Sequence, residues 1–280
     1  MAESEEKEMS FIDHLEELRW HLVRSVASVL VFSVAAFVSK GFIFGVLILG
    51  PSKTDFWSYR MLCKLSEVVG IDALCINELP FIIQSRQLTG QFTMHITSSL
   101  VVGLICAFPY AFWEIWRFVA PGLYSHERNL TRGATFFVSF LFMIGVLFGY
   151  FIVTPVSVYF LANYQLDPSI LNEFDIISYV STVVTLVLSS GLIFQLPIVM
   201  YFLTKAGIVT PEFLITYRRH AIVVIFIVGA VITPPDPFSQ MLVSLPIVGL
   251  YEVSIYISKR IKRREAREEA KEALKRNPKS

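Results

Sequence analysis

The stretch from Gly133 to Thr154 reads GATFFVSFLFMIGVLFGYFIVT and holds no charged side chain. Wound as a helix at 1.5 Å per residue it is about 33 Å long, enough to cross a hydrocarbon core about 30 Å thick. Its apolar residues form one block, without the period-2 or period-3.6 stripe of an element half-buried in water. A chain built around such a block reads as an integral membrane protein. Composition agrees: 54% of the 280 residues are hydrophobic and 17% charged, against about 25% charged in soluble domains, and the mean hydropathy is +0.60.

Working outward, five further apolar blocks stand at Leu22–Val38, Thr93–Trp113, Ile177–Leu203, Ala221–Ile232 and Gln240–Ser258. The expectation is an all-α polytopic membrane protein with six transmembrane helices. It has one membrane domain, residues 1–258, and a basic tail, residues 259–280. Short loops set the orientation. Arg117, Arg128 and Arg132 separate the second and third spans, and Lys205, Arg218 and Arg219 the fourth and fifth. Pro155–Ile176 and Thr233–Ser239 carry no Lys or Arg. By the positive-inside rule both termini are cytoplasmic. The loop of about residues 40–91 dissents, with Lys40, Lys53, Arg60, Lys64 and Arg86. It is long and also carries Asp55, Glu67, Asp72 and Glu78, so it is assigned to the exported side. The acidic head Glu3–Glu8 lacks the positive n-region of a signal peptide, and the first block is expected to be retained as a span.

The last two spans are short. Ala221–Ile232 supplies about 18 Å of helix, and Pro246 and Glu252 interrupt Gln240–Ser258. Two readings stand open for the fifth span. The bilayer thins or a neighbour packs against it, or Arg218 and Arg219 snorkel and the helix starts earlier.

No HExxH, P-loop, G-x-G-x-x-G or G-x-S-x-G motif is present, so the chain is not expected to be an enzyme, nor to need a cofactor, metal or nucleic acid. His14, Glu16, Glu17 and His21 share helical spacing, but an exposed amphipathic face explains them more simply than a metal site. His95 reads as an interfacial histidine with a satisfied ring, and Cys106 as a thiol buried in the second span.

Ser10-Phe11-Ile12-Asp13 resembles a capping-box start. The apolar stripe Phe11, Leu15, Leu18, Leu22 then predicts an N-terminal helix lying on the membrane surface before the first span. Glu17 lies off that stripe and can face the cytoplasm, and its alternative use is an i,i+4 pair with His21. Glu127, in the loop after the second span, has Arg128 or Arg132 as alternative partners. Acids on the basic face of a membrane protein suit a guanidinium ligand, because a carboxylate accepts its planar fork bidentately.

Three separated motifs decide between these uses. They are His14-Leu15-Glu16-Glu17-Leu18-Arg19, the run Phe118-Val119-Ala120-Pro121-Gly122-Leu123-Tyr124-Ser125-His126-Glu127-Arg128, and Thr233-Pro234-Pro235-Asp236-Pro237-Phe238-Ser239-Gln240. Together, in order and topological place, they resemble the TatC family, the substrate-receptor subunits of the twin-arginine protein translocase, from about residue 10 to residue 258. The resemblance implies a receptor in the bacterial inner membrane that binds Arg-Arg signal peptides through Glu17, Arg19, Glu127 and Phe118. It also implies homo-oligomers, recruitment of single-span TatA/TatB-type partners, and export of folded proteins driven by the proton-motive force. Partner contacts would involve Gln195, Asp236 and Pro51. Gln195 stands where many family members have glutamate, which implies a hydrogen-bonded contact without an obligatory protonation step; its alternative is a bond to a neighbouring helix around Pro197. Asp236 also reads as a turn or cap residue. His21 stands where a basic residue is frequent, so one cationic contact is expected to depend on pH.

Cys63 and Cys75 lie in the exported loop, where an oxidising compartment favours a disulfide over two thiols. The competing function is a secondary transporter for a small solute or ion, with Pro109, Gly191, Pro197 and Pro246 breaking helices and Glu114 and Glu252 binding ions. No internal repeat supports it.

Overall fold

The computed structural model describes residues 11–70, 75–76, 78–119, 128–233 and 237–276. In chain order its elements are α1 (Phe11–Val38), α2 (Lys40–Phe42), α3 (Trp57–Val69), β1 (Ile82–Gln84), α4 (Gly90–Val119), α5 (Arg128–Phe148), α6 (Thr154–Asn163), β2 (Glu173–Asp175), α7 (Ile176–Ile193), α8 (Leu196–Lys205), α9 (Pro211–Thr216), α10 (Arg218–Ile232) and α11 (Pro237–Arg276). Five stretches are long and apolar enough to cross a membrane: Glu16–Val38, Gly90–Phe118, Thr135–Asn163, Ile176–Lys205 and Ser239–Lys271. The fifth of the six expected spans, α10, has 15 residues and is too short to be counted with them.

Burial is inverted relative to a soluble bundle. Val23, Val26, Leu30 and Val31 on α1 are at least half exposed, whereas His21 and Ser25 are buried. Without a hydrophobic drive between helices, small and polar residues make the contacts and apolar ones face outward. On α4, Gly103 lets the backbone of α1 approach closely at Ser33. One apolar core gathers Ile43, Ile48, Met94, Phe142, Val180 and Val183. A second joins Val153, Leu186 and Leu214 to Ile225, Val243 and Tyr251 on α10 and α11.

Several sequence expectations need correction. The N-terminal surface helix does not turn into the first span, because α1 runs unbroken from Phe11 to Val38. No glycine or proline interrupts this stretch, and Leu18 and Leu22 of the apolar stripe stay exposed. The third span does not stop at Pro155. A π-helical turn at Gly149–Val153 admits the proline, and α6 carries the helix on to Asn163. Pro155 cannot donate to the carbonyl four residues back; Ser58 Oγ donates to that carbonyl, of Phe151, instead. The thiol of Cys106 is exposed rather than buried, since α4 turns that face outward. The sixth block and the start of the tail form one 40-residue helix, α11.

Residues 40–91 form a folded cap rather than a bare loop. Its π-helical turn Ile43–Ile48 and 3-10 turn Gly50–Ser52 leave carbonyls that side chains satisfy. Tyr150 donates to Leu47 and Tyr179 to Ile48, and the single hydroxyl proton of fully buried Tyr59 is shared between Pro51 O (2.8 Å) and Pro155 O (3.1 Å). Buried carbonyls of irregular backbone require such partners. β1 pairs in parallel with β2, Ile82 opposite Glu173, and so ties the cap to the segment preceding α7. Cys63 on α3 is bonded to Cys75, with the Cα atoms 4.0 Å apart. Gly70, with φ 75°, ends α3 between them.

Candidate functional site

The N-terminal half of α1 and the C-terminal half of α4 meet at one end of the bundle. There Glu114, the one acid of α4, is 2% exposed. Its Oε2 accepts from His21 Nδ1 of α1 at 2.5 Å, and its Oε1 accepts from the Tyr110 hydroxyl at 3.1 Å. Arg24 Nη1 stands 4.0 Å from the same Oε2. A buried carboxylate needs such partners, since an unpaired charge in low dielectric is costly. One turn before His21, Glu17 Oε1 lies 4.0 Å from His21 Nε2 with its side chain 47% exposed. The imidazole therefore sits between an exposed and a buried carboxylate.

Arg19 projects outward and pairs with Glu16 at 3.3 Å, its guanidinium also lying 5.6 Å from the Trp20 ring. Phe118, on the last turn of α4, places its ring 6.3 Å from that of His21. Glu17, Arg19 and Phe118 are thus brought to one end of the α1–α4 pair. Glu127 and Asp236 lie outside the described residues. In sequence, Glu127 follows nine residues after Phe118.

Gln195 sits in the break between α7 and α8. Its Nε2 donates to Val138 O of α5 at 3.3 Å and lies 3.5 Å from Gly191 O. Its Oε1 is buried without a partner among the described residues. That is the neighbouring-helix bond anticipated around Pro197, with an acceptor left over. Pro51 is fully buried beneath Tyr59 in the cap. His95 Nε2 bonds to Phe37 O at 3.0 Å, and its ring stacks on Phe37. Among the described residues no group of three or more His, Cys, Asp or Glu is placed to hold a metal ion.

Sequence reasoning put Glu114 forward only as an ion ligand of a transporter. The available signal was that Glu114 is the one acid between Gly90 and Val119. Its partner, His21, is 93 residues away and could be found only in three dimensions.

The family model described as "Sec-independent protein translocase protein (TatC)" matches residues 13–246. The TatC of Blattabacterium sp. subsp. Periplaneta americana is 39% identical over 257 residues, covering 91% of this chain and 97% of that protein. The TatC of Aquifex aeolicus is 34% identical, covering 90% and 95%. Two crystal structures of the twin-arginine translocase receptor TatC superpose with TM-scores of 0.64 and 0.69 at 33% and 32% identity. Each covers 88% of this chain, with 98% and 99% of its own chain matched. Family match, length and fold agree, and the chain belongs to the TatC family of Sec-independent protein translocase proteins.

Proposed function

We propose that this chain is the receptor of a twin-arginine translocase. In this reading it binds Arg-Arg signal peptides at the cytoplasmic face with Glu17 and Glu127, crosses the inner membrane with both termini inside, and recruits single-span TatA/TatB-type partners. The observation that carries the reading is Glu17, half exposed on α1 at the end where Phe118 closes α4. The Glu127 motif begins at that same end. In this reading the two carboxylates accept two planar guanidinium forks, which a lysine ammonium does not reproduce. The exposed apolar face of α1, Val23, Val26 and Leu30, offers the hydrophobic part of a signal peptide a continuous surface. The same reading includes export of folded cargo on the proton-motive force, with several copies in one complex. It asks of this chain binding and not catalysis.

The test is site-specific crosslinking of an Arg-Arg signal peptide to the chain in membranes, repeated with a Lys-Lys peptide and with Glu17→Ala and Glu127→Ala. Crosslinking is expected to fall in all three controls. Undiminished crosslinking in them removes the receptor assignment.

A further inference from the structure

We infer that α3 is a membrane-surface helix: its outward stripe Trp57, Met61, Leu65 and Val68 sits in the lipid beside the cap, with Arg60 and Lys64 at the level of the phosphates. The inference does not depend on the receptor reading above. It needs only that the long apolar helices cross a membrane.

At about 100° per residue, the four stripe residues fall within about 80° of one another around α3. They are exposed by 49% (Leu65) to 84% (Val68). Ser58, Tyr59 and Ser66, off the stripe, are buried against the fold. Arg60, Lys64 and Glu67 are exposed and line one border of the stripe, Glu67 farthest from it. A surface helix of a soluble protein turns its apolar face to the core and its polar face to solvent. α3 instead turns hydroxyls to the core and divides its outer side between an apolar stripe and a charged edge. That division suits a helix placed where protein, lipid and water meet.

The surroundings identify lipid as the occupant. Ser58 Oγ donates to Phe151 O, and the Trp57 ring meets the Phe151 ring edge-on at 5.4 Å. Phe151 lies within the apolar stretch Thr135–Asn163, next to Ile152, and both Ile152 and Leu147 are exposed. The first turn of α3 is thus docked on a span, and its stripe continues that span's outward apolar surface. The edge chemistry matches as well. A tryptophan ring favours the head-group level, where its apolar body and its N–H are both accommodated. Arg60 and Lys64 can lay their stems along the stripe and carry their charged ends to lipid phosphates. With 13 residues, about 20 Å long, α3 is too short to span, so it lies in the plane of the interface with its apolar face buried about 5–10 Å.

The experiment places single nitroxide labels on the full chain in lipid nanodiscs, in a Cys106→Ser background that keeps the bond between Cys63 and Cys75. Labels replace Met61, Leu65 or Val68 on the stripe and Arg60, Lys64 or Glu67 on its border. Leu147→Cys sets the scale for lipid and Asp167→Cys, in the exposed turn after α6, the scale for water. Collisions with oxygen, which concentrates in lipid, are compared with collisions with a water-soluble nickel chelate. Oxygen is expected to dominate along the stripe, at a depth of about 5–10 Å, and nickel along the border. Nickel access along the stripe shows that it faces water and overturns the inference. Shielding from both reagents shows a protein cover, a second copy or another chain, and overturns it too. A measurement without labels guards against a disturbed cap: tryptophan emission quenched by lipids brominated near the head group, in the unsubstituted chain and in Trp57→Phe. The emission lost on Trp57→Phe is expected to be the quenched part. Loss of an unquenched part overturns the inference.

Discussion

Gly103→Ala tests the contact on which the α1–α4 site depends. A Cβ built at Gly103 falls 2.6 Å from Ser33 N and 2.7 Å from Ser33 Cα, and also against Ser33 Oγ. Ordinary contact begins near 3.4 Å, so the two helices must separate locally by about 1 Å. Rotating the serine side chain gives no relief, because the backbone of α1 is what the methyl group meets. Overpacking of this kind costs about 1–3 kcal/mol. The strain also spreads along a rigid helix: Glu114 lies eleven residues on, about 16 Å away, where a 2.5 Å bond to His21 tolerates little displacement. Thermal unfolding of the purified chain in detergent should show a lower midpoint for Gly103→Ala, with signal-peptide crosslinking reduced alongside. Ser33→Gly placed in the same chain should restore little of either, since nitrogen and Cα remain. Unchanged melting, or full rescue by Ser33→Gly, would show that these backbones are not in limiting contact.

Three further outcomes follow from other parts of the fold. Tyr59→Phe leaves the carbonyls of Pro51 and Pro155 without their donor in a fully buried place, and should cost about 1–3 kcal/mol in unfolding experiments. Maleimide labelling of intact cells should reach Cys63 and Cys75 only after reductant. Reduction should lower stability by about 3 kcal/mol in the chain-entropy model for a loop of separation 12; equal labelling without reductant would refute the bond. Gln195→Glu keeps an accepting oxygen at the break between α7 and α8, whereas Gln195→Leu removes it. Export and partner crosslinking should therefore survive the first substitution better than the second, and equal collapse in both would exclude a role for the free Oε1.

The reach of the sequence was set by how local each cause is. Long apolar runs depend only on the bilayer's thickness, so α1, α4, α5–α6, α7–α8 and α11 were legible from hydropathy. Pro155 reads as a stop because its local chemistry is that of a helix breaker. The hydroxyl that replaces its missing hydrogen bond belongs to Ser58, 93 residues away from Phe151. The exposure of Cys106 turns on the rotation of α4, which Gly103 and Glu114 set against α1. At the site, the motifs pointed to Glu17, Arg19 and Phe118 through resemblance. The buried Glu114 and its hold on His21 belong to no motif and are pure packing. Pro51 shows the converse, a residue singled out by resemblance that the fold uses as a buried carbonyl acceptor.

The open question of the fifth span narrows once Arg218 is located. Arg218 Nη2 lies 2.5 Å from Glu252 Oε1 of α11, so its guanidinium is directed to a protein carboxylate and not only to water or lipid. This ion pair marks one level across two neighbouring helices. From it α10 runs 15 residues to Ile232, about 22 Å, whereas α11 continues past Glu252 to Arg276. α10 falls short of a core about 30 Å thick, whereas the 30 residues of Ile176–Lys205 and the 33 of Ser239–Lys271 exceed it. Tilting cannot close the gap, because tilt shortens the height a helix spans. The shortfall belongs to the side of the molecule that α10 forms. Val223, Val224, Ile227 and Val231 stand exposed along that side. Either the bilayer thins against it or a neighbouring protein covers it.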